Sequence, residues 1–265
     1  MHPLVRLIRL YFIQAWHAWR SLFAWSTPFN YFVSKFGFTF FSMVLFVFIG
    51  KYVGLDDPIY IVIGNILLMP ASSCLSGISM TIGNERAFGA MSYLLGSPAP
   101  RAPIFLGRAL FHILDSFITV AIALLVAAWI FHFNMAEINF FLVFLCIFIT
   151  SFTTSGMGFI MGSISLVNRD GWMITSTLSL SLYILAGANF PVTSLPAYLQ
   201  VVSYSLPMTR GIMAAREALA GAGWAIVSPL LMGEIVVGIF YILIGYAMFR
   251  WLERKSMVNG VLDNL

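Results

Sequence analysis

Charge is what this sequence has least of. Asp, Glu, Lys and Arg make up 9% of its 265 residues, while 60% are hydrophobic. A soluble domain carries about 25% charged residues, and 14 Lys+Arg with 10 Asp+Glu cannot coat a water-soluble fold of this size. With a mean hydropathy of +0.94, a water-soluble enzyme is excluded, and so is a disordered chain, whose composition is the reverse. Cysteine is scarce too. Cys74 and Cys146 both lie inside apolar runs, which supplies neither a disulfide framework nor zinc spacing. The phosphate-binding pattern G-x-x-x-x-G-K-[ST] is missing, as are H-E-x-x-H and G-x-S-x-G, so ATP binding, zinc hydrolysis and a serine nucleophile have no sequence support in this chain. The four histidines are scattered and match no metal spacing.

What remains is a polytopic all-α membrane protein, whose apolar exterior is solvated by lipid. A net charge of +4 then reads as anchoring at headgroups rather than as nucleic-acid binding. Residues 1–25 read as one amphipathic helix. His2, Arg6, Arg9, His17 and Arg20 share an arc of about 80° at 100° per residue. Such a helix lies in the membrane interface; the alternative, a first spanning helix, would bury three arginines. The apolar residues of this basic segment are interrupted by Arg9, His17 and Arg20, and no small-residue cleavage site follows, so it is not read as a signal peptide.

Thr27 can cap a new helix, with Pro28 in its first position, and residues 26–265 read as a transmembrane domain of six spans. They run from about Pro28 to Gly50, Pro58 to Gly83 (interrupted by Pro70), Ile104 to Phe131, Ile138 to Leu166, Trp172 to Phe190 and Trp224 to Met248. Lys35 lies two turns into the first span and can snorkel back toward its starting side. Two stretches between the spans lean polar, a first at 84–103 and a second, non-spanning, at 191–223. Ten Lys/Arg fall on the side of the termini and three (Lys51, Arg210, Arg216) on the other. By the positive-inside rule both termini are cytoplasmic.

Few polar groups lie at membrane depth. Arg108, His112 and Asp115 recur at four and three residues and share one face of the third span. They are either a polar stripe lining a cavity, or headgroup-level cations pairing with Asp115. Glu234 lies inside the sixth span, where a lone carboxylate is costly and marks function by default. Its expected partners are Arg210 or Arg216, in a structural pair or beside a substrate path. Gly158 and Gly162 have G-x-x-x-G spacing, which permits close helix contact within the chain or between chains.

Two stretches carry more. Residues 84–108 read NERAFGAMSYLLGSPAPRAPIFLGR, and residues 185–217 read LAGANFPVTSLPAYLQVVSYSLPMTRGIMAARE. The first resembles the E-R-x-x-G…S-P…G-R region of ABC type-2 exporter permeases. The second resembles that family's outer segment, matched by Gly187, Phe190, Pro191, Leu195, Pro196, Leu206 and Pro207. The order and spacing of these motifs, with the six spans and the N-terminal interfacial helix, extend the resemblance over essentially the whole chain.

The resemblance implies a non-catalytic permease in a bacterial inner membrane. Two permease chains, alike or different, would pair, and two copies of a separate ATPase subunit would bind ATP and Mg. The chain itself would carry no cofactor. The inner segment would hold a coupling helix over Glu85 to Leu95, with Glu85 and Arg86 at its start and Phe88, Met91 and Leu94 facing the ATPase. The outer segment would form short re-entrant helices. The cargo would be an amphipathic drug, antibiotic or lipid-like molecule. A proton-coupled secondary transporter or channel using Asp115 or Glu234 is the rival expectation; such folds often show paired broken helices or repeats. A membrane-embedded enzyme would need a polar cluster that the sequence lacks.

Overall fold

The computed structural model describes residues 8–17, 20, 27–54, 58–87, 101–131, 139–166, 168 and 171–258. Among them every regular element is helical: α1 (Pro28–Tyr52), α2 (Pro58–Ala87), α3 (Arg101–Phe131), α4 (Phe140–Ser165), α5 (Gly171–Leu185), a 3-10 turn (Val192–Ser194), α6 (Ala197–Ser205), α7 (Thr209–Leu219) and α8 (Trp224–Val258). The start of α1 is set locally. Thr27 Oγ1 accepts from the Asn30 amide at 3.2 Å, and Pro28 occupies the first turn, where its missing N–H costs nothing. Asn139 caps α4 in the same way through the Leu142 amide, 3.2 Å. Helix α2 runs on through Pro70.

Among the described residues five helices are long and apolar enough to cross a membrane: Pro28–Tyr52, Ile59–Asn84, Ala109–Phe131, Phe140–Ser165 and Trp224–Lys255. The expected fifth span is different. Helix α5 has 15 residues, about 22 Å at 1.5 Å per residue, against a hydrocarbon core of about 30 Å. It stops because Gly187 takes φ +72°, a conformation that glycine adopts without strain. The chain then continues irregularly to Pro191.

Helix α4 is the centre of the bundle. Helices α2 and α8 pack on it most extensively, α3, α5 and α7 also reach it, and α1 rests on α2 and α3. Small residues set this arrangement. A Cβ on Gly158 would lie 2.9 Å from the Leu75 carbonyl oxygen of α2, and one on Gly156 would lie 2.6 Å from the Ile242 amide of α8. The G-x-x-x-G face is thus spent inside the chain, which lets backbones approach and gain dispersion contacts where lipid offers no hydrophobic drive. Helices α1 and α8 keep broad apolar faces exposed, including Phe29, Phe38, Phe41 and Phe48 on α1 and Val236, Phe240 and Leu243 on α8. Residues 8–17 are helical and cross the start of α3 closely, where a Cβ on Gly107 would lie 2.9 Å from Gln14 Cβ.

Candidate functional site

Three polar clusters stand out from the apolar bundle. The first joins α1, α2 and α3. Lys35 Nζ pairs with Asp115 Oδ2 and also donates to Ser73 Oγ at 3.1 Å and to Thr119 Oγ1 at 2.9 Å. The Tyr31 hydroxyl donates to Asp115 Oδ1. All three ammonium protons and both carboxylate oxygens are therefore engaged, the condition under which a charge pair tolerates a low dielectric. Lys35 does not snorkel toward the membrane edge. Pairing with Asp115 neutralises it where it stands, and Asp115 is only 7% exposed. His112, expected to pair with Asp115, bonds elsewhere. It bonds Thr81 Oγ1 at 2.9 Å and packs on Gly77, while the Arg108 side chain lies outside what the structure describes.

The second cluster surrounds Glu234, which is fully buried. Its Oε1 accepts from Thr153 Oγ1 of α4 at 2.7 Å and from the Met208 amide at 2.5 Å. Its Oε2 accepts from the Gly211 amide at 3.1 Å. Neither expected arginine bonds it. The carboxylate instead caps the N-terminus of α7, where unpaired amides and the helix dipole favour negative charge. The residue in the local capping position, Met208, has no side-chain acceptor and takes φ 99° in a buried setting. Arg210 donates to the Tyr204 carbonyl and stacks on the Tyr204 ring at 5.9 Å.

The third cluster holds the segment after α5. Arg216, in the last turn of α7, donates to the carbonyls of Gly187 (2.8 Å) and Ala188 (2.6 Å) and to that of Tyr60 at 3.4 Å. Its guanidinium lies 3.6 Å from the Tyr60 ring centroid. Burial pulls its pKa down to about 10, so it remains charged near neutral pH. Asn65 of α2 donates to Asn189 Oδ1 at 2.8 Å, and Asn189 donates to the Tyr183 carbonyl at 3.0 Å. Gly64 makes room for this segment: a Cβ there would fall 2.6 Å from the Ala188 carbonyl carbon and 2.7 Å from Arg216 Nη2. Gly64→Ala is therefore expected to push residues 187–189 off α2, and limited proteolysis in detergent should cut the variant between 186 and 191 well before it cuts the native chain.

The other expected outer-segment residues keep this region short and broken. Pro191 and Pro196 are extended residues that start the 3-10 turn and α6. Phe190 is half-buried and Pro207 buried beside Met208. Of the inner segment, Glu85 and Arg86 lie in the last turn of α2 rather than starting a separate helix, because the helical backbone of the second span simply continues to Ala87. Phe88, Met91 and Leu94 lie outside the described residues. Sequence reading missed Tyr31, Tyr60, Asn65, Thr153, Asn189 and Met208. Asn65, two turns into the second span, was a usable signal, since an amide in lipid needs a partner. Tyr31 with Lys35 and Asp115 with Thr119 are i,i+4 pairs that could have marked two facing stripes. Among the described residues no group of three or more His, Cys, Asp or Glu could hold a metal ion.

Residues 13–220 match the family model described as ABC-2 type transporter. Two curated relatives are probable multidrug ABC transporter permeases called YbhR, from Escherichia coli strain K12 and from Escherichia coli O157:H7. Each is 23% identical over 209 residues, which is 77% of this chain and 54% of the relative. The chain thus spans about half the length of the curated relatives that it matches.

Proposed function

The chain belongs to the ABC-2 type transporter family, and from that premise we propose that it is the membrane-spanning permease subunit of an ATP-driven exporter. ATP and Mg would be bound by a separate ATPase present in two copies, docked against the inner segment 84–103. A second permease chain, alike or different, would complete the path. The cargo would be an amphipathic drug, antibiotic or lipid-like molecule, as the names of the relatives suggest for those proteins. The observation that carries the reading is the family match over 13–220, together with a set of short elements, the 3-10 turn, α6 and α7, folded against an apolar bundle. The test is whether an ATPase with a phosphate loop co-purifies with this chain. A chain isolated alone after co-expression, with no ATPase retained, would count against it.

Six crossings fit this reading. Helix α5 and the irregular residues 186–190 would together traverse the bilayer, with α6 and α7 re-entering from the outer side. Both termini would then be cytoplasmic, as the ten-to-three distribution of Lys and Arg favours. Single cysteines replacing Asp57, Asn134 and the exposed Tyr198 are expected to react with an impermeant maleimide added to intact cells, and cysteines at Ala87 and Asn168 only after lysis. Labelling of the Ala87 variant from outside would reverse the orientation.

The rival reading, a proton-coupled carrier, would need Asp115 or Glu234 to gain and lose a proton in each cycle. Asp115 holds Lys35 and Tyr31, and Glu234 holds one hydroxyl and two amides. Protonating either would cost these charge-assisted bonds, which favours structural roles for both carboxylates.

A further inference from the structure

Helix α7 is held at its two ends by different parts of the bundle. At the N-terminal end Glu234 of α8, which also accepts from the Thr153 hydroxyl of α4, accepts from the amides of Met208 and Gly211. At the C-terminal end Arg216 grips the carbonyls of Gly187 and Ala188 after α5, and that of Tyr60 at the start of α2. Between the ends, Ile212, Ala214, Ala215 and Ala218 are fully buried. Gly211 sits against α4, where a Cβ would lie 3.0 Å from Thr150 Cβ. Eleven residues span about 16 Å, so this one rigid element joins the α4–α8 pair to the α5 exit and the outer end of α2.

Two features set it apart from ordinary packing. Glu234 and Arg216 are bonded to backbone groups of other elements rather than to each other, so each fixes main-chain positions. The cap is also supplied from α8, 26 residues beyond Met208, and Met208 is held in a left-handed conformation that costs about 1–2 kcal/mol for a non-glycine residue. The N-terminus of α7 is therefore positioned by α8 rather than by its own sequence.

We infer that Thr209–Leu219 is a strut. It carries a displacement of the α4–α8 pair to residues 186–190 and the outer end of α2, with Glu234 and Arg216 as the positioning residues at its two ends. This rests on the exporter reading, because an ATPase cycle would supply the displacement and the outer end would be what opens.

The experiment uses Glu234→Gln, Arg216→Lys and the double variant, each reconstituted with the partner ATPase, with ethidium as the exported probe. Gln keeps the size of Glu234 but cannot accept from both amides as an anion; Lys keeps the charge of Arg216 but not the fork that reaches two carbonyls. Each single variant is expected to lower ethidium exported per ATP hydrolysed by about tenfold while hydrolysis stays within about twofold of wild type. The double variant is expected to be no worse than the worse single, since non-additivity is the signature of one unit. Multiplied losses, or an unchanged ratio in either single variant, would overturn the strut.

Hydrogen exchange on the purified chain decides the matter without transport. Glu234→Gln should raise exchange at residues 186–190 as well as at 208–212, and Arg216→Lys should do so at both places too. Exchange confined to the mutated end overturns the proposal. If wild-type vesicles export no ethidium with ATP, the exporter reading fails while the exchange result still judges the strut. Should either variant fail to fold, Thr153→Val removes one donor to Glu234 and is expected to give the same two-ended pattern more weakly.

Discussion

Lys35→Met is expected to destabilise the bundle by about 3–5 kcal/mol, because removing one member of a buried pair strands the other charge. The stranded group is Asp115, which would keep the Tyr31 hydroxyl but lose the ammonium that it shares with Ser73 and Thr119. In detergent this should appear as a large fall in the midpoint of thermal aggregation, with poor recovery of folded chain. The double variant Lys35→Met, Asp115→Leu is expected to regain most of the loss, since replacing a buried pair with apolar groups is often near neutral. That rescue separates a structural pair from a polar path. If these groups instead lined a watery route, Lys35→Met would leave the stability within about 1 kcal/mol of wild type, as exposed pairs do, and the midpoint nearly unmoved.

The second large effect concerns coupling. Replacing Met91 and Leu94 together with Asp is expected to abolish co-purification of the ATPase and, with it, ATP-dependent export. In the expected helix Phe88, Met91, Leu94 and Leu95 recur at helical spacing and would form one apolar face able to bury against a cleft in a partner. A charge placed there cannot be solvated once docked. The alternative is that this face packs on the inner ends of the spans, and then the double substitution would impair insertion or folding of the permease alone. A correctly inserted variant that still retains its ATPase in full stoichiometry would remove the coupling role from these residues.

What could be read in the sequence was local. The start of α1 is decided by Thr27 and Pro28, a capping hydroxyl and a residue suited to the first turn, and both are visible as neighbours. Hydrophobic length located five of the spans to within a few residues, except that α8 runs on to Val258. The limits of the fifth were not legible, because hydropathy does not register the positive φ of Gly187 at which α5 ends. Pairings were legible only as lists of candidates. Lys35 and Asp115 are 80 residues apart, and nothing in either neighbourhood names the other. Glu234 was visible as an anomaly, yet its partners are two backbone amides and a threonine, and backbone donors leave no trace in composition. Arg216 is the same case with carbonyls. The G-x-x-x-G face was visible, whereas its direction, toward α2 within the same chain, needed the bundle.

In the proposed function this chain moves its cargo on energy supplied by another subunit. The direct measurement is ethidium uptake by inside-out vesicles containing the permease, with and without the partner ATPase and with and without ATP. Uptake is expected only when the chain, the ATPase and ATP are all present, and a protonophore should leave it intact. Uptake by the chain alone, driven by an imposed proton gradient and abolished by the protonophore, would contradict the account.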